Sequence, residues 1–145
     1  MSNLEHDILL VEDSPGDVML VREALLGLDA PGELHVVNDG VKALDFLRRD
    51  GHFADAPVPD LILLDLNLPV MDGREVLRKI KDHPEWRRIP VAVLSTSENE
   101  DDIRASYELN ANCYIVKPLD MASFRRSMRA LNDFWFSVVK FPPKH

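Results

Sequence analysis

The pair Glu12-Asp13, then Asp65, Ser95-Thr96 and Lys117-Pro118, each stand directly after or at the end of a short apolar run. The runs are Ile8-Leu9-Leu10-Val11, Leu61-Ile62-Leu63-Leu64, Val91-Ala92-Val93-Leu94 and Cys113-Tyr114-Ile115-Val116. If these runs lie side by side, three carboxylates, a hydroxyl and an ammonium converge on one mouth. Crowded carboxylates repel one another. Lys117 supplies one positive charge, and a hard divalent cation would supply more. Magnesium prefers few carboxylates, several waters and phosphate oxygens. With Asp13 and Asp65 as direct ligands, such a site leaves room for a phosphoryl group. Ser95 is then placed to hydrogen-bond one phosphoryl oxygen and Lys117 to pair with another. Asp65 is the natural nucleophile, because it lies in the middle and carboxylates accept phosphoryl groups. Phosphoryl transfer asks a protein for little beyond positioning and charge neutralisation. Taken singly, each residue has a plainer reading, as a helix cap, a loop carboxylate or a surface lysine. Their joint placement at strand ends carries the argument.

That placement depends on the elements. Each apolar run is strand-length, and continuous apolarity is the mark of strands covered on both faces, as in parallel sheets. The mixed segment Glu33-Leu34-His35-Val36-Val37 reads as an edge strand. Between the runs, apolar residues recur every three or four positions, the spacing of a helix. Val18, Val21, Leu25 and Leu28 follow the capping signal Ser14-Pro15, and Val41, Leu44, Phe46 and Leu47 form a second stripe. Val76, Leu77 and Ile80 follow Asp72-Gly73. Residues 98–109 are polar, with Ile103 and Tyr107 expected on one face, and residues 121–139 carry the stripe Phe124, Met128, Leu131, Trp135 and Val138. Five βα units predict an α/β fold, an open, doubly wound parallel sheet with helices on both faces. Such sheets carry their sites at the carboxyl ends of the strands. The longest irregular stretch, residues 51–59, reads as a surface loop.

Composition narrows the function classes. With 145 residues, 46% hydrophobic and 29% charged, the chain is one ordinary domain's worth of globular sequence. A net charge of −8 is a poor start for gripping nucleic acid. One cysteine, Cys113, excludes an internal disulfide and a multi-cysteine zinc site, and the five histidines show no metal-ligand spacing. No apolar run approaches the length of a membrane span, and the polar start lacks a signal-peptide core. The expectation is a cytoplasmic protein with neither nucleic acid nor membrane as partner.

The strings Ile8-Leu9-Leu10-Val11-Glu12-Asp13, Leu61-Ile62-Leu63-Leu64-Asp65-Leu66-Asn67-Leu68-Pro69-Val70-Met71-Asp72-Gly73, Ile89-Pro90-Val91-Ala92-Val93-Leu94-Ser95 and Tyr114-Ile115-Val116-Lys117-Pro118 resemble the receiver domain of two-component response regulators. The resemblance spans about residues 6–133, with 134–145 a helical, aromatic extension. It implies a single receiver domain of the chemotaxis-regulator-like kind, with five parallel strands in the flavodoxin-like order 2-1-3-4-5. It also implies Mg2+-dependent phosphoryl transfer onto Asp65 from a sensor histidine kinase. By the same match, Asp13 binds the metal directly and Glu12 through water, and the backbone carbonyl of Asn67 is a further ligand. Ser95 takes the hydroxyl position, Lys117 the lysine position and Tyr114 the switch aromatic. The Lys117–Pro118 bond is expected to be cis. Thr96 departs from the alanine or glycine common after the hydroxyl, and its β-branched side chain would narrow access.

The resemblance makes the protein a phosphoacceptor rather than an enzyme with external turnover. Little chain follows the last helix, so output is expected through protein contacts. Phe134-Trp135-Phe136 exceeds what one core-facing stripe needs, which points to a homodimer interface. The tail and the 51–59 loop resemble single-domain regulators paired with bacterial phytochrome kinases. Relay to a histidine phosphotransfer protein is a further option. Two alternatives stand beside this reading. One is a phosphohydrolase resembling the haloacid-dehalogenase type, which usually carries aspartate where Asn67 stands. The other is a pseudo-receiver that only binds.

Overall fold

The computed structural model describes residues 6–26 and 32–143. Five parallel strands, β1 (His6–Val11), β2 (Gly32–Val37), β3 (Leu61–Leu64), β4 (Val91–Ser95) and β5 (Cys113–Val116), lie in the order β2-β1-β3-β4-β5. The helices between and after them are α1 (Pro15–Leu26), α2 (Gly40–Arg48), α3 (Gly73–Asp82), α4 (Glu100–Glu108) and α5 (Met121–Asp133). Both agree with the fold class expected. Leu28, placed on the first helix by its spacing, lies outside the described residues.

The strand period of two divides the core. Ile8, Leu10, Leu61, Leu63, Ala92 and Leu94 pack with α1 and α5 through Val21, Leu25, Phe124, Met128 and Leu131. Leu9, Val11, Ile62, Leu64, Val91 and Val93 pack on the other face with α2 and α3, through Ala43, Leu44, Phe46, Val76 and Ile80. The central strand β3 is wholly buried. Each of its leucines contributes about 2 kcal/mol through area removed from water. The edge strand β5 is only half-buried, and so is Cys113.

Local side-chain chemistry starts the helices. Ser14 Oγ accepts from the backbone N–H of Asp17 at 3.3 Å, and Asp39, Asp72, Asn99 and Asp120 cap the four later helices. The 51–59 loop contains a 3-10 turn over Gly51–Phe53, and Phe53, Ala56 and Val58 pack against the core.

Ile103 and Tyr107, four residues apart on α4, do share a face; Tyr107 is exposed, and Ser106 is the buried residue of α4, its hydroxyl bonded to the Asp102 carbonyl. Two expectations are corrected. No peptide bond among the described residues is cis, so Lys117–Pro118 is trans. Lys117 is aimed by strand register and its own backbone bond to the Ser95 carbonyl at 2.7 Å.

The second correction concerns the aromatic triplet. α5 passes into a π-helical turn over Phe134–Val138, closed by the Val139 N–H on the Phe134 carbonyl at 2.9 Å. The wider turn shifts the helical phase. Trp135 stays on the inward stripe that its spacing predicts, at 8% exposure, while Val138, beyond the shift, is left at 71%. Phe136 is half-buried, and it and Phe141 pack around His6, with ring centroids 5.1 and 4.9 Å away. Trp135 stacks with Phe141 at 5.7 Å. The tail thus covers the amino end of β1, and of the triplet only Phe134, at 52%, faces outward.

Val70 has φ 69°, a left-handed conformation that a β-branched residue adopts only under strain. Its side chain is 81% exposed, so little burial offsets the cost. Val70→Asn is expected to stabilise the protein by about 1 kcal/mol, read as a shift in the urea midpoint at unchanged slope.

Candidate functional site

Parallel register builds the site from strand ends. Val11 pairs with Leu64, so Glu12 and Asp65 leave β1 and β3 side by side. The Asp65 N–H donates to the Val11 carbonyl at 3.0 Å, and the Glu12 N–H to the Val37 carbonyl at 3.0 Å. Ser95 pairs with Val116, which sets Lys117 one step beyond on β5. Glu12, Asp65, Ser95 and Lys117 are all buried, whereas Asp13 is exposed.

Carboxylate oxygens of Glu12, Asp13 and Asp65 lie within 4.8 Å of one another. Three such oxygens are the donor set a hard divalent cation takes, so the residues present fit the metal that the sequence implies. Asp65 Oδ1 accepts from the Asn67 N–H at 3.1 Å, which folds the chain so that Asn67 sits at the rim, exposed. Ser95 Oγ accepts from the Ser97 N–H at 3.1 Å. Thr96 is exposed between them.

The ammonium of Lys117, 6% exposed, donates to Glu12 Oε1 at 2.6 Å, Asp17 Oδ2 at 2.8 Å and Asp65 Oδ2 at 3.4 Å. Burial pulls its pKa down, but the carboxylates of Asp17, Glu12 and Asp65 outweigh it, and the group is held above its ordinary value. Glu12 moves the other way for a carboxylate. Burial, with Asp65 beside it, pushes it up to about 7 even against the pull of Lys117.

This has a consequence for stability without metal. The folded-state pKa of Glu12, about 7, lies above its ordinary 4.5. Between those values the folded protein binds more protons than the unfolded chain, so the Glu12 contribution to stability falls as pH rises through that window. The slope approaches about 1.4 kcal/mol per pH unit at most. Denaturation in chelator near pH 5 and near pH 8 is expected to show wild type losing more stability between the two than Glu12→Gln.

Tyr114 is half-buried, and its hydroxyl donates to the Ser97 carbonyl at 2.9 Å. The Ser97 hydroxyl donates to Asp102 Oδ2 at 2.6 Å, and the Arg74 guanidinium pairs with the other oxygen of Asp102. The Ser97 hydroxyl and Arg74 hold the Asp102 carboxyl below its ordinary value. A continuous polar chain therefore joins the start of α3, the β4–α4 loop, α4 and Tyr114 on β5.

Of the residues expected at the mouth, Glu12, Asp13, Asp65 and Lys117 are brought together; Asn67 borders them through its N–H on Asp65, and Ser95 at the end of β4 through the Lys117 N–H on its carbonyl. Phe134, Trp135 and Phe136 lie with α5 and its extension. Asp17 was missed. Its one signal is position, four residues after Asp13, in the first turn of the helix that follows. Far from the mouth, His35 Nε2 sits 3.1 Å from Asp7 Oδ1, with Glu33 close by. Strand pairing makes this group, and spacing along the chain does not reveal it.

Comparison with known proteins agrees with this geometry. Residues 8–129 match the response regulator receiver domain family. Response regulator Rcp1 of Synechocystis sp. is 48% identical over 141 residues, covering 97% of this chain and 96% of Rcp1. The crystal structure of the phosphorylated cyanobacterial phytochrome response regulator RcpA superposes with a TM-score of 0.93 at 48% identity, over 97% of this chain and 100% of that one. The Mn2+-bound form of Rcp1 superposes with a TM-score of 0.91 at 47% identity, over 95% and 99%. No helix among the described residues is long and apolar enough to cross a membrane.

Proposed function

This chain belongs to the family of response regulator receiver domains, and from that premise we propose that it accepts a phosphoryl group on Asp65 from the phosphohistidine of a sensor histidine kinase. The observation that carries the reading is the convergence of Glu12, Asp13 and Asp65 around one point with Lys117 against them. An Asp65 carboxylate oxygen forms the new P–O bond as the bond from phosphorus to the donor nitrogen breaks, and the electron pair leaves with the imidazole. Glu12, Asp13, Asp65 and the Asn67 carbonyl would hold Mg2+. When bound, that ion neutralises the crowded carboxylates and charge on the phosphoryl oxygens. Lys117 pairs with a phosphoryl oxygen and Ser95 hydrogen-bonds another. Thr96 stands at the rim, and Thr96→Ala is expected to change phosphorylation or dephosphorylation rates by a few-fold. Unchanged rates in both directions would remove that role.

The output is a change in protein contacts. In this reading the Ser95 hydroxyl moves toward the phosphoryl group, Tyr114 turns into the vacated space, and the β4–α4–β5 face is remodelled. The network through Ser97, Asp102 and Arg74 sets the energy of the resting arrangement. Phe134 and Val138, both exposed on the π-helical turn, offer apolar surface for a homodimer. Similarity to Rcp1 and to the phytochrome regulator RcpA supports a bacterial phytochrome as the kinase. Transfer from an autophosphorylated bacteriophytochrome to this protein, faster than to Asp65→Asn or from an unrelated kinase, is the expected result. Equal transfer from all kinases would overturn the pairing. Size-exclusion chromatography before and after phosphorylation, with Phe134→Glu alongside, reads the dimer and its dependence on the switch. No observation favours the phosphohydrolase or the binding-only alternative.

A further inference from the structure

We propose that Asp17 is a positioning residue for phosphoryl transfer, holding the Lys117 ammonium in place while the other carboxylates around it are claimed by the metal and the phosphoryl group. The inference rests on the reading of Asp65 as phosphoacceptor. It starts from a count of donors and acceptors. An ammonium has three protons, and Lys117 Nζ faces three carboxylates, Glu12 at 2.6 Å, Asp17 at 2.8 Å and Asp65 at 3.4 Å. Two of these, Glu12 and Asp65, belong to the group of oxygens gathered with Asp13. Asp17 does not belong to that group.

A cation in the cluster draws on lone pairs of Glu12 and Asp65 that Lys117 uses in this structure. Phosphorylation then converts one Asp65 oxygen into a P–O bond, with the donor's bond to phosphorus broken and its electron pair carried off by the leaving group. Both events loosen the contacts from Lys117 to Glu12 and Asp65. The contact to Asp17 is untouched by either. It is charge-assisted and short, and so among the stronger hydrogen bonds. Asp17 is itself fixed, because its backbone N–H donates to Ser14 Oγ at 3.3 Å in the turn that follows Glu12-Asp13. One corner of the ammonium is thereby pinned to α1, and the remaining protons are directed at the mouth, where a phosphoryl oxygen replaces the Asp65 oxygen. Holding a charge in place before the reaction is worth more than supplying it loosely.

A carboxylate in a first helical turn also favours the helix dipole. That role alone would change the melting temperature and nothing else, so the test reads other quantities. Wild type, Asp17→Ala and Asp17→Asn are compared by intact mass over time with acetyl phosphate and Mg2+, by calorimetric Mg2+ titration, and by 15N-edited NMR of the Lys117 ammonium without metal. For Asp17→Ala the expected results are a transfer rate at saturating donor lowered about tenfold, an unchanged half-saturating donor concentration, and faster exchange of the Lys117 ammonium protons with water. Mg2+ affinity is expected to stay within about twofold, since Asp17 is not a ligand. Asp17→Asn keeps an oxygen acceptor and is expected to recover most of the rate. An Asp17→Ala protein with wild-type rate and wild-type ammonium exchange overturns the inference. So does a faster one, which would make Asp17 a restraint on Lys117, and so does a rate loss that only parallels lost Mg2+ affinity and melting temperature. A wild type that gains no phosphoryl group overturns the proposed function and this inference together, whereas an active wild type indifferent to Asp17→Ala overturns this inference alone.

Discussion

Lys117→Met is expected to lower the rate of phosphoryl gain by about a hundredfold or more and to destabilise the metal-free protein by about 3 kcal/mol near pH 8. Both effects have one cause. The ammonium is buried against Glu12, Asp17 and Asp65, and methionine fills its volume without its charge. Glu12 is then a buried carboxylate whose nearest charged neighbour is Asp65, and its pKa, already about 7 with Lys117 present, rises further. The sign of the pH dependence follows. The destabilisation is largest where Glu12 must be ionised and shrinks as the pH falls and Glu12 takes a proton. Millimolar Mg2+ is expected to restore much of the stability, because the cation answers the same repulsion, and to leave the rate low, because the phosphoryl oxygen still lacks its partner. Urea titrations with chelator and with Mg2+ at two pH values separate these effects. A metal-free Lys117→Met protein as stable as wild type near pH 8 would show that the carboxylates do not depend on the ammonium.

The second large effect removes no chemical group from the mouth. Gly73 opens α3, and its N–H donates to the Leu66 carbonyl at 2.9 Å. A methyl group at this position would lie 2.3 Å from the Asp65 carbonyl oxygen and 2.5 Å from the Leu66 Cα. Neither is the end of a flexible side chain, so the backbone of the phosphoacceptor itself has to move. Gly73→Ala is expected to cost about 3 kcal/mol. It is also expected to weaken Mg2+ binding and slow phosphoryl transfer about tenfold or more, because a site misplaced by a fraction of an ångström loses its geometry. Gly16→Ala is the matched control. Its added methyl meets only Ser14 Oγ at 3.9 Å, and alanine favours the helix by up to about 1 kcal/mol. Melting temperature and Mg2+ affinity of the two variants should therefore diverge. A Gly73→Ala protein with the wild-type Mg2+ affinity would mean that the Asp65 loop yields without consequence.

Strand register explains why so much of the site was legible from the residues alone. Each apolar run is a strand with one chemical group at its carboxyl end, and parallel pairing in the order β2-β1-β3-β4-β5 brings those ends together. Four letters of apolar sequence fix where the next side chain goes. Asp17 escaped this logic because a helix, not a strand, delivers it. Its approach to Lys117 depends on how the first turn of α1 leans over the mouth, which no spacing encodes.

The tail failed for a different reason. Counting Phe124, Met128, Leu131, Trp135 and Val138 as one stripe assumes a constant helical period, and the π-helical turn at Phe134–Val138 breaks it. The three aromatics then looked like surplus for one face. They serve two, with Trp135 and Phe136 covering the start of β1 and Phe134 outside. In α4 the buried position is not an apolar one. Ser106 is small enough to be buried with its hydroxyl bonded back to the Asp102 carbonyl, whereas Tyr107, the larger apolar body, lies outward.

Whether Asp65 takes a phosphoryl group with help from a divalent cation is read from the intact mass of wild type and Asp65→Asn after incubation with acetyl phosphate, with Mg2+ and with chelator. Wild type is expected to gain the mass of one phosphoryl group with Mg2+ only, and Asp65→Asn none. Equal gain by Asp65→Asn would place the acceptor on another residue, and gain in chelator would remove the metal from the reaction.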